Sequence, residues 1–131
     1  MIDKNYAGDG IYKENILDYY KNPRKFGVLK NKDVRHKEFN PFCGDEIIVD
    51  VKFSEDKISE VKFSGQGCAI SQAATDMILE KVEGMTKEEI LKLNKENVLE
   101  LLRIELGPVR LKCALLGLDT LQNAIKLEDK K

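Results

Sequence analysis

Between Glu46 and Phe53 apolar and polar residues alternate, with Ile47, Val49, Val51 and Phe53 on one parity, Asp50 and Lys52 on the other, and Ile48 the exception. A period of two predicts a strand with one buried face. The polar stretch "SEDKIS" follows, and "EVKFSG" resumes the period with Val61 and Phe63, so the pair predicts an antiparallel hairpin. After "GQGC" the period changes: Ile70, Ala73, Ala74, Met77 and Ile78 recur at helical spacing and predict a helix to about Val82, stopped near Gly84. "TKEE" from Thr86 is a capping box opening a short helix through Leu93, and another helix spans Val98 to Ile104. "GPV" at Gly107 to Val109 breaks the pattern. A last helix runs to about Lys126, with Leu111, Leu115, Leu118, Leu121 and Ile125 facing inward and "LEDKK" frayed. At the other end, Ile11 to Asn22 read as a helix with Tyr12, Ile16, Tyr19 and Tyr20 at helical spacing, ended by "NPR". The stretch "GVLKNKDVRHKEFNP" is either a loop or an edge strand. Strands early and helices late predict an α+β fold, with helices packed on one face of a small sheet.

The 131 residues predict one domain over 1–131, with about ten N-terminal residues and the C-terminal tail flexible. The formal net charge of −1, with no long run of one sign, argues against bulk binding to nucleic acid. No apolar run approaches the ~18 residues of a membrane span, and "MIDKNYAGDG" lacks a signal-peptide pattern, so the expectation is a cytoplasmic protein without a membrane partner. In a reducing compartment three cysteines suit metal or sulfur chemistry better than a disulfide framework, although free cysteines also serve as small buried apolar residues.

Their positions change the balance. Cys43 sits just ahead of a predicted strand, Cys68 between a strand and a helix behind "SGQG", and Cys113 near the start of the last helix. Ends of packed elements can converge on one edge of a domain. Cys43 and Asp45 lie two apart, so in an extended segment their side chains point the same way. Three thiolates and a carboxylate form an anionic set that repels itself when empty and suits a cation. Tetrahedral zinc fits such a shell, and thiolates are also the usual protein ligands of iron–sulfur clusters. The hard carboxylate oxygen holds thiophilic iron less firmly than a fourth cysteine would, which favours a transferable cluster. The gaps of 25 and 45 residues match neither a zinc ribbon nor a CxxC pair, so spacing leaves shared site and scattered cysteines both open.

"NPRKFGVL", "NPFCGDEI", "FSGQGCAISQAATDMI" and "GPVRLKCALLGLDTLQNAI" closely resemble, in order, the iron–sulfur cluster assembly scaffold family, the IscU/SufU/NifU N-terminal group. The match runs from about Tyr12 to Ile125. It implies a small, mostly antiparallel sheet with helices on one side. It also implies a scaffold or carrier that accepts sulfur from a cysteine desulfurase, holds iron or a nascent cluster of the 2Fe–2S type, and passes it to apo iron–sulfur client proteins. By position, Cys43, Asp45, Cys68 and Cys113 match the family's site residues, with Cys113 and Cys43 as alternative sulfur acceptors. Two features depart from the main scaffold branch. Lys112 stands where that branch has a histidine. A protonated lysine cannot ligate metal, but its charge can favour the Cys113 thiolate or pair with Asp45. Lysine there resembles the SufU-like branch, which implies the rival reading: a zinc-bound sulfurtransferase relaying persulfide sulfur. The segment "NKENVLELLRIELGPVR" lacks the insertion of that branch, and "LGPVR" replaces the scaffold branch's diproline motif.

His36, the only histidine, reads as an exposed loop residue, with a ligand role as the alternative. Tyr12, Tyr19 and Tyr20 read as core and surface of the first helix, with a partner contact as the alternative. Glu88 and Glu89 belong to a capping turn rather than an acid–base pair. No GxSxG, Walker A, HExxH or GxGxxG motif is present.

Overall fold

The structure, a computed structural model, describes residues 14–41 and 44–130. The start of the first helix, with Tyr12, lies outside the described residues, and so does Cys43. Residues 14–21 are helical (α1). Three strands follow, β1 (Val34–Asn40), β2 (Asp45–Ser54) and β3 (Lys57–Gln66), and then α2 (Ala69–Val82), α3 (Lys87–Leu91), α4 (Lys95–Leu102) and α5 (Pro108–Asp129). The strands form an antiparallel sheet in the order β1-β2-β3. This is the expected α+β fold.

The uncertain polar stretch is the edge strand β1. Its Val34 and Asn40 are buried, while the residues between them alternate between exposed and half-buried, too polar a pattern to announce a strand. Ile47, Val49 and Val51 on β2 are wholly buried, and Ile58, Val61 and Phe63 on β3 are nearly so. Ile58 and Val61 break a strict period of two because the register shifts beside Lys52 and Phe53, leaving Ser59 as an extra residue on β3. The helices complete one core: Ala73, Ile78, Leu79 and Val82 of α2, Ile90 of α3, Val98 of α4, and Leu121 and Ile125 of α5 all join the sheet's apolar face.

On α5 the buried face holds Cys113, Ala114, Gly117, Leu118, Leu121, Ala124 and Ile125. Leu111 and Leu115, expected inside, are only half-buried, whereas Leu116 is buried. The helix also extends past its expected end at Lys126 to Asp129, whose carboxylate pairs with Lys87 at 3.2 Å. The capping box at Thr86 and Glu89 forms as expected. Glu88 pairs with Lys92 at 3.3 Å, an exposed helical pair. The turn "NPRKFG" is held from two sides. Lys25 and Gly27 hydrogen-bond to Phe63 on the open edge of β3, and the buried Asp76 of α2 accepts the backbone N–H groups of Arg24 and Lys25. Burial raises the Asp76 pKa, a cost that those N–H bonds only partly offset.

Candidate metal centre

The core-facing parity of β2 begins with Asp45, ahead of Ile47, Val49 and Val51, so the fold that buries the three aliphatic residues also buries this carboxylate. It lies at the end of the sheet where α2 begins. Cys68 is the N-cap of α2. Its extended backbone (φ −72°, ψ 168°) lets its sulfur accept the Ser71 N–H at 3.5 Å, at the partially positive end of a 14-residue helix. Its own N–H donates to Asp45 Oδ1 at 2.9 Å, and its Sγ stands 3.8 Å from Asp45 Oδ2. Gly67 makes this approach possible: a Cβ there would sit 2.7 Å from Asp45 Oδ1 and 2.5 Å from Ser71 Oγ.

Cys113 arrives from α5. Gly107 is the N-cap and Pro108 opens the first turn, where a missing N–H costs nothing, so Cys113 falls in the second turn on the buried face. The ligand atoms of Asp45, Cys68 and Cys113 all lie within 4.8 Å of one another, and among the described residues this is the one such cluster of His, Cys, Asp and Glu. Asp45 and Cys113 are each 1% exposed and Cys68 is half-buried, so the cluster comes nearest the surface at Cys68. Sulfurs bound at ~2.3 Å to a tetrahedral ion stand about 3.8 Å apart, inside the 4.8 Å that bounds every separation in this cluster. Two soft sulfurs and one hard oxygen fit zinc, iron or the edge of an iron–sulfur cluster, with a position left for a fourth ligand.

Lys112 is exposed on α5, immediately before Cys113. His36 is not brought to the cluster. It lies on β1 opposite Val49, with Nε2 2.8 Å from Glu38 Oε2, so it is an edge-strand residue rather than a loop residue. Tyr19 donates its hydroxyl to Glu80 and carries the Arg24 guanidinium over its ring, whereas Tyr20 is exposed. Sequence reasoning missed three supports of the site: Ser71, wholly buried beside Cys68; Thr75, wholly buried one turn on; and Gly117 on the facing helix. The signal for Gly117 was present as a lone glycine inside a strong helical pattern.

Residues 11–131 match the NifU-like N terminal domain family. The chain belongs to this family. Among its relatives, the zinc-dependent sulfurtransferase SufU of Bacillus subtilis (strain 168) is 33% identical, with 92% of this chain and 93% of that one covered. The iron–sulfur cluster assembly scaffold protein IscU of Thermotoga maritima is 34% identical, covering 88% of this chain and 93% of its own. A crystal structure of a proposed scaffold protein for the SUF system, from Fervidobacterium islandicum AW-1, superposes with a TM-score of 0.76 at 36% identity. It covers 86% of this chain and 94% of its own. These NifU-like relatives include both scaffolds and a zinc-dependent transferase, so the family shows a metal-related role in iron–sulfur cluster assembly and sulfur transfer. No helix among the described residues is long and apolar enough to cross a membrane.

Proposed function

We propose that this NifU-like chain is an iron–sulfur cluster assembly scaffold or carrier. In this reading it takes sulfur from a cysteine desulfurase, holds iron or a nascent cluster, and delivers it to apo-proteins. The observation that carries the reading is the meeting of Asp45, Cys68 and Cys113, drawn from β2, the α2 N-cap and α5, within 4.8 Å. Cys43, two residues before Asp45, completes the proposed ligand set by its sequence position. Sulfur uptake is a thiol exchange. A scaffold thiolate attacks the outer sulfur of the desulfurase persulfide, that S–S bond breaks, the desulfurase thiolate leaves, and the persulfide now sits on the scaffold. Cys113 is buried, so attack there requires the first turns of α5 to open, whereas Cys43 is the alternative acceptor. Electrons that reduce this sulfur to sulfide come from a separate donor. The cargo then sits between two protein sulfurs held by helices and the Asp45 oxygen, the weakest of its holds.

The observation favouring a second reading is Lys112, exposed beside Cys113, together with the likeness to a zinc-dependent sulfurtransferase. In that reading Asp45 and the cysteines hold zinc and the protein relays persulfide sulfur. Anaerobic reconstitution with iron, cysteine, a desulfurase and a thiol reductant as electron donor separates the two. A chromophore transferable to an apo-ferredoxin supports the scaffold. One tightly held zinc with strongly stimulated desulfurase turnover, and no chromophore, supports the relay. Protein that takes up neither ends both.

A further inference from the structure

The two cysteines on helices are brought together by helices that share one unusually close contact. Gly117 lies one turn beyond Cys113 on the same face of α5, and Thr75 lies two turns beyond Cys68 on the same side of α2. A Cβ at Gly117 would sit 2.2 Å from Thr75 Oγ1, 2.8 Å from its Cβ and 2.9 Å from its Cα. Carbon atoms in packed interiors stand about 3.5–4.0 Å apart, so a methyl group there must push the helices apart or twist one of them. Thr75 cannot swing aside at no cost. It is wholly buried, and its hydroxyl donates to the Ser71 carbonyl at 2.7 Å. Ser71 in turn gives its N–H to Cys68 Sγ and its hydroxyl to the Cys68 carbonyl. A continuous line of contacts therefore runs from the α2–α5 crossing to one of the two sulfurs, and the other sulfur is a single turn from the crossing.

We infer that Thr75 and Gly117 form a knob and notch that set the distance between Cys68 and Cys113, and so are positioning residues for the site. This rests on the metal-centre reading, but the spacing can be measured without metal. Helix packing puts side-chain ridges of one helix into gaps of the other, and a gap left by glycine lets the axes come closest. Closeness there, rather than a property of the cysteines, decides whether two sulfurs fit one ion. The overlap should also be relieved from the other side: Thr75→Gly removes both the Oγ1 and the Cβ that a methyl group at 117 would meet and leaves only the Cα at 2.9 Å.

The test uses the full chain carrying Cys43→Ser, which leaves two of the three cysteines. Metal-free protein is equilibrated with oxidised and reduced glutathione. The two thiols become one disulfide as one oxidised glutathione becomes two reduced ones, and the disulfide fraction, read by mass spectrometry, reports how readily the sulfurs meet. Gly117→Ala is expected to lower that effective concentration at least about tenfold, and Thr75→Gly in the same chain to recover at least about threefold of the loss. A folded Gly117→Ala protein with an unchanged value, or a folded Thr75→Gly, Gly117→Ala protein no higher than Gly117→Ala alone, overturns the inference. If Gly117→Ala does not fold, the Thr75→Gly, Gly117→Ala variant decides: folding with a value within about tenfold of native supports the pair, and failure to fold or a larger loss rejects it. Cobalt titration of the unaltered chain reads the other question. Absence of thiolate-to-cobalt charge transfer removes the metal centre and leaves the spacing result standing.

Discussion

Asp45 and Asp50 lie on the same strand, 1% and 2% exposed, yet they face opposite sides of the sheet and meet different neighbours. Asp50 is paired across the ladder with Arg35, which binds both its oxygens at 2.6 and 2.9 Å, and it also accepts the Leu29 N–H. Burial pushes its carboxyl up, but the Arg35 and Leu29 bonds outweigh this and leave the pKa lowered. Asp45 instead accepts the Cys68 N–H and lies beside the sulfurs of Cys68 and Cys113, near the starts of two helices. Burial of a carboxylate is therefore no guide to its work. One of these two fastens the edge strand to its neighbour, and the other belongs to a set whose natural complement is a cation.

The comparison breaks most severely if the ligand set is altered without altering the fold. Cys68→Ser is the cleanest such change, because serine is a better N-cap than cysteine, so α2 should keep its start while a soft ligand is lost. Zinc or cobalt affinity, measured by chelator competition, should fall by more than about a hundredfold with no loss of thermal stability. Asp45→Ala should weaken zinc and cobalt binding too, and should slow release of a preloaded cluster to an apo-protein if the Asp45 oxygen is the labile ligand that an incoming acceptor displaces first. Unchanged release kinetics would assign that role elsewhere. Gly67→Ala should come next, lowering affinity about ten- to a hundredfold, since the added carbon displaces Asp45 Oδ1 while Ser71 Oγ rotates away.

Asp50→Asn is the opposite arm. It should cost about 2 kcal/mol of stability in urea titration at neutral pH, and metal affinity should not change. The sign with pH follows from its lowered pKa. The stabilisation is fully present above the unfolded carboxyl value, about 3.9, and is lost as pH falls through the lower folded value. The difference between wild type and Asp50→Asn should therefore shrink only below about pH 4. Ser71→Ala should be the mildest change, about 1 kcal/mol, because the N–H that meets Cys68 remains and only the hydroxyl bond to the Cys68 carbonyl is lost.

The hairpin, the capping box and the apolar side of α2 were legible because each rests on local periodicity or local hydrogen bonding. Val61 and Phe63 needed nothing beyond their own strand. The edge strand was harder, since β1 gains its character from pairing with β2 and carries little apolar signal itself. Asp50 stood on the polar parity of its strand, and its burial was not legible there because its partner Arg35 lies on another strand and is matched only by register. The site was half legible. The cysteines stood at element ends and Asp45 two residues from Cys43, but the burial of Asp45 shows only once β2 begins at Asp45, in phase with Ile47, Val49 and Val51. That two helix starts would bring Cys68 and Cys113 together follows from the crossing of α2 and α5, a contact between residues 42 positions apart that no local pattern encodes.

Asp76 holds the "NPRKFG" turn by the main chain of Arg24 and Lys25 rather than by their side groups. The attachment is thus blind to which residues occupy those two places, provided each keeps an amide hydrogen. The outward chemistry of the turn can be rewritten without unfastening it, whereas a proline at position 25 would cut one of the ties.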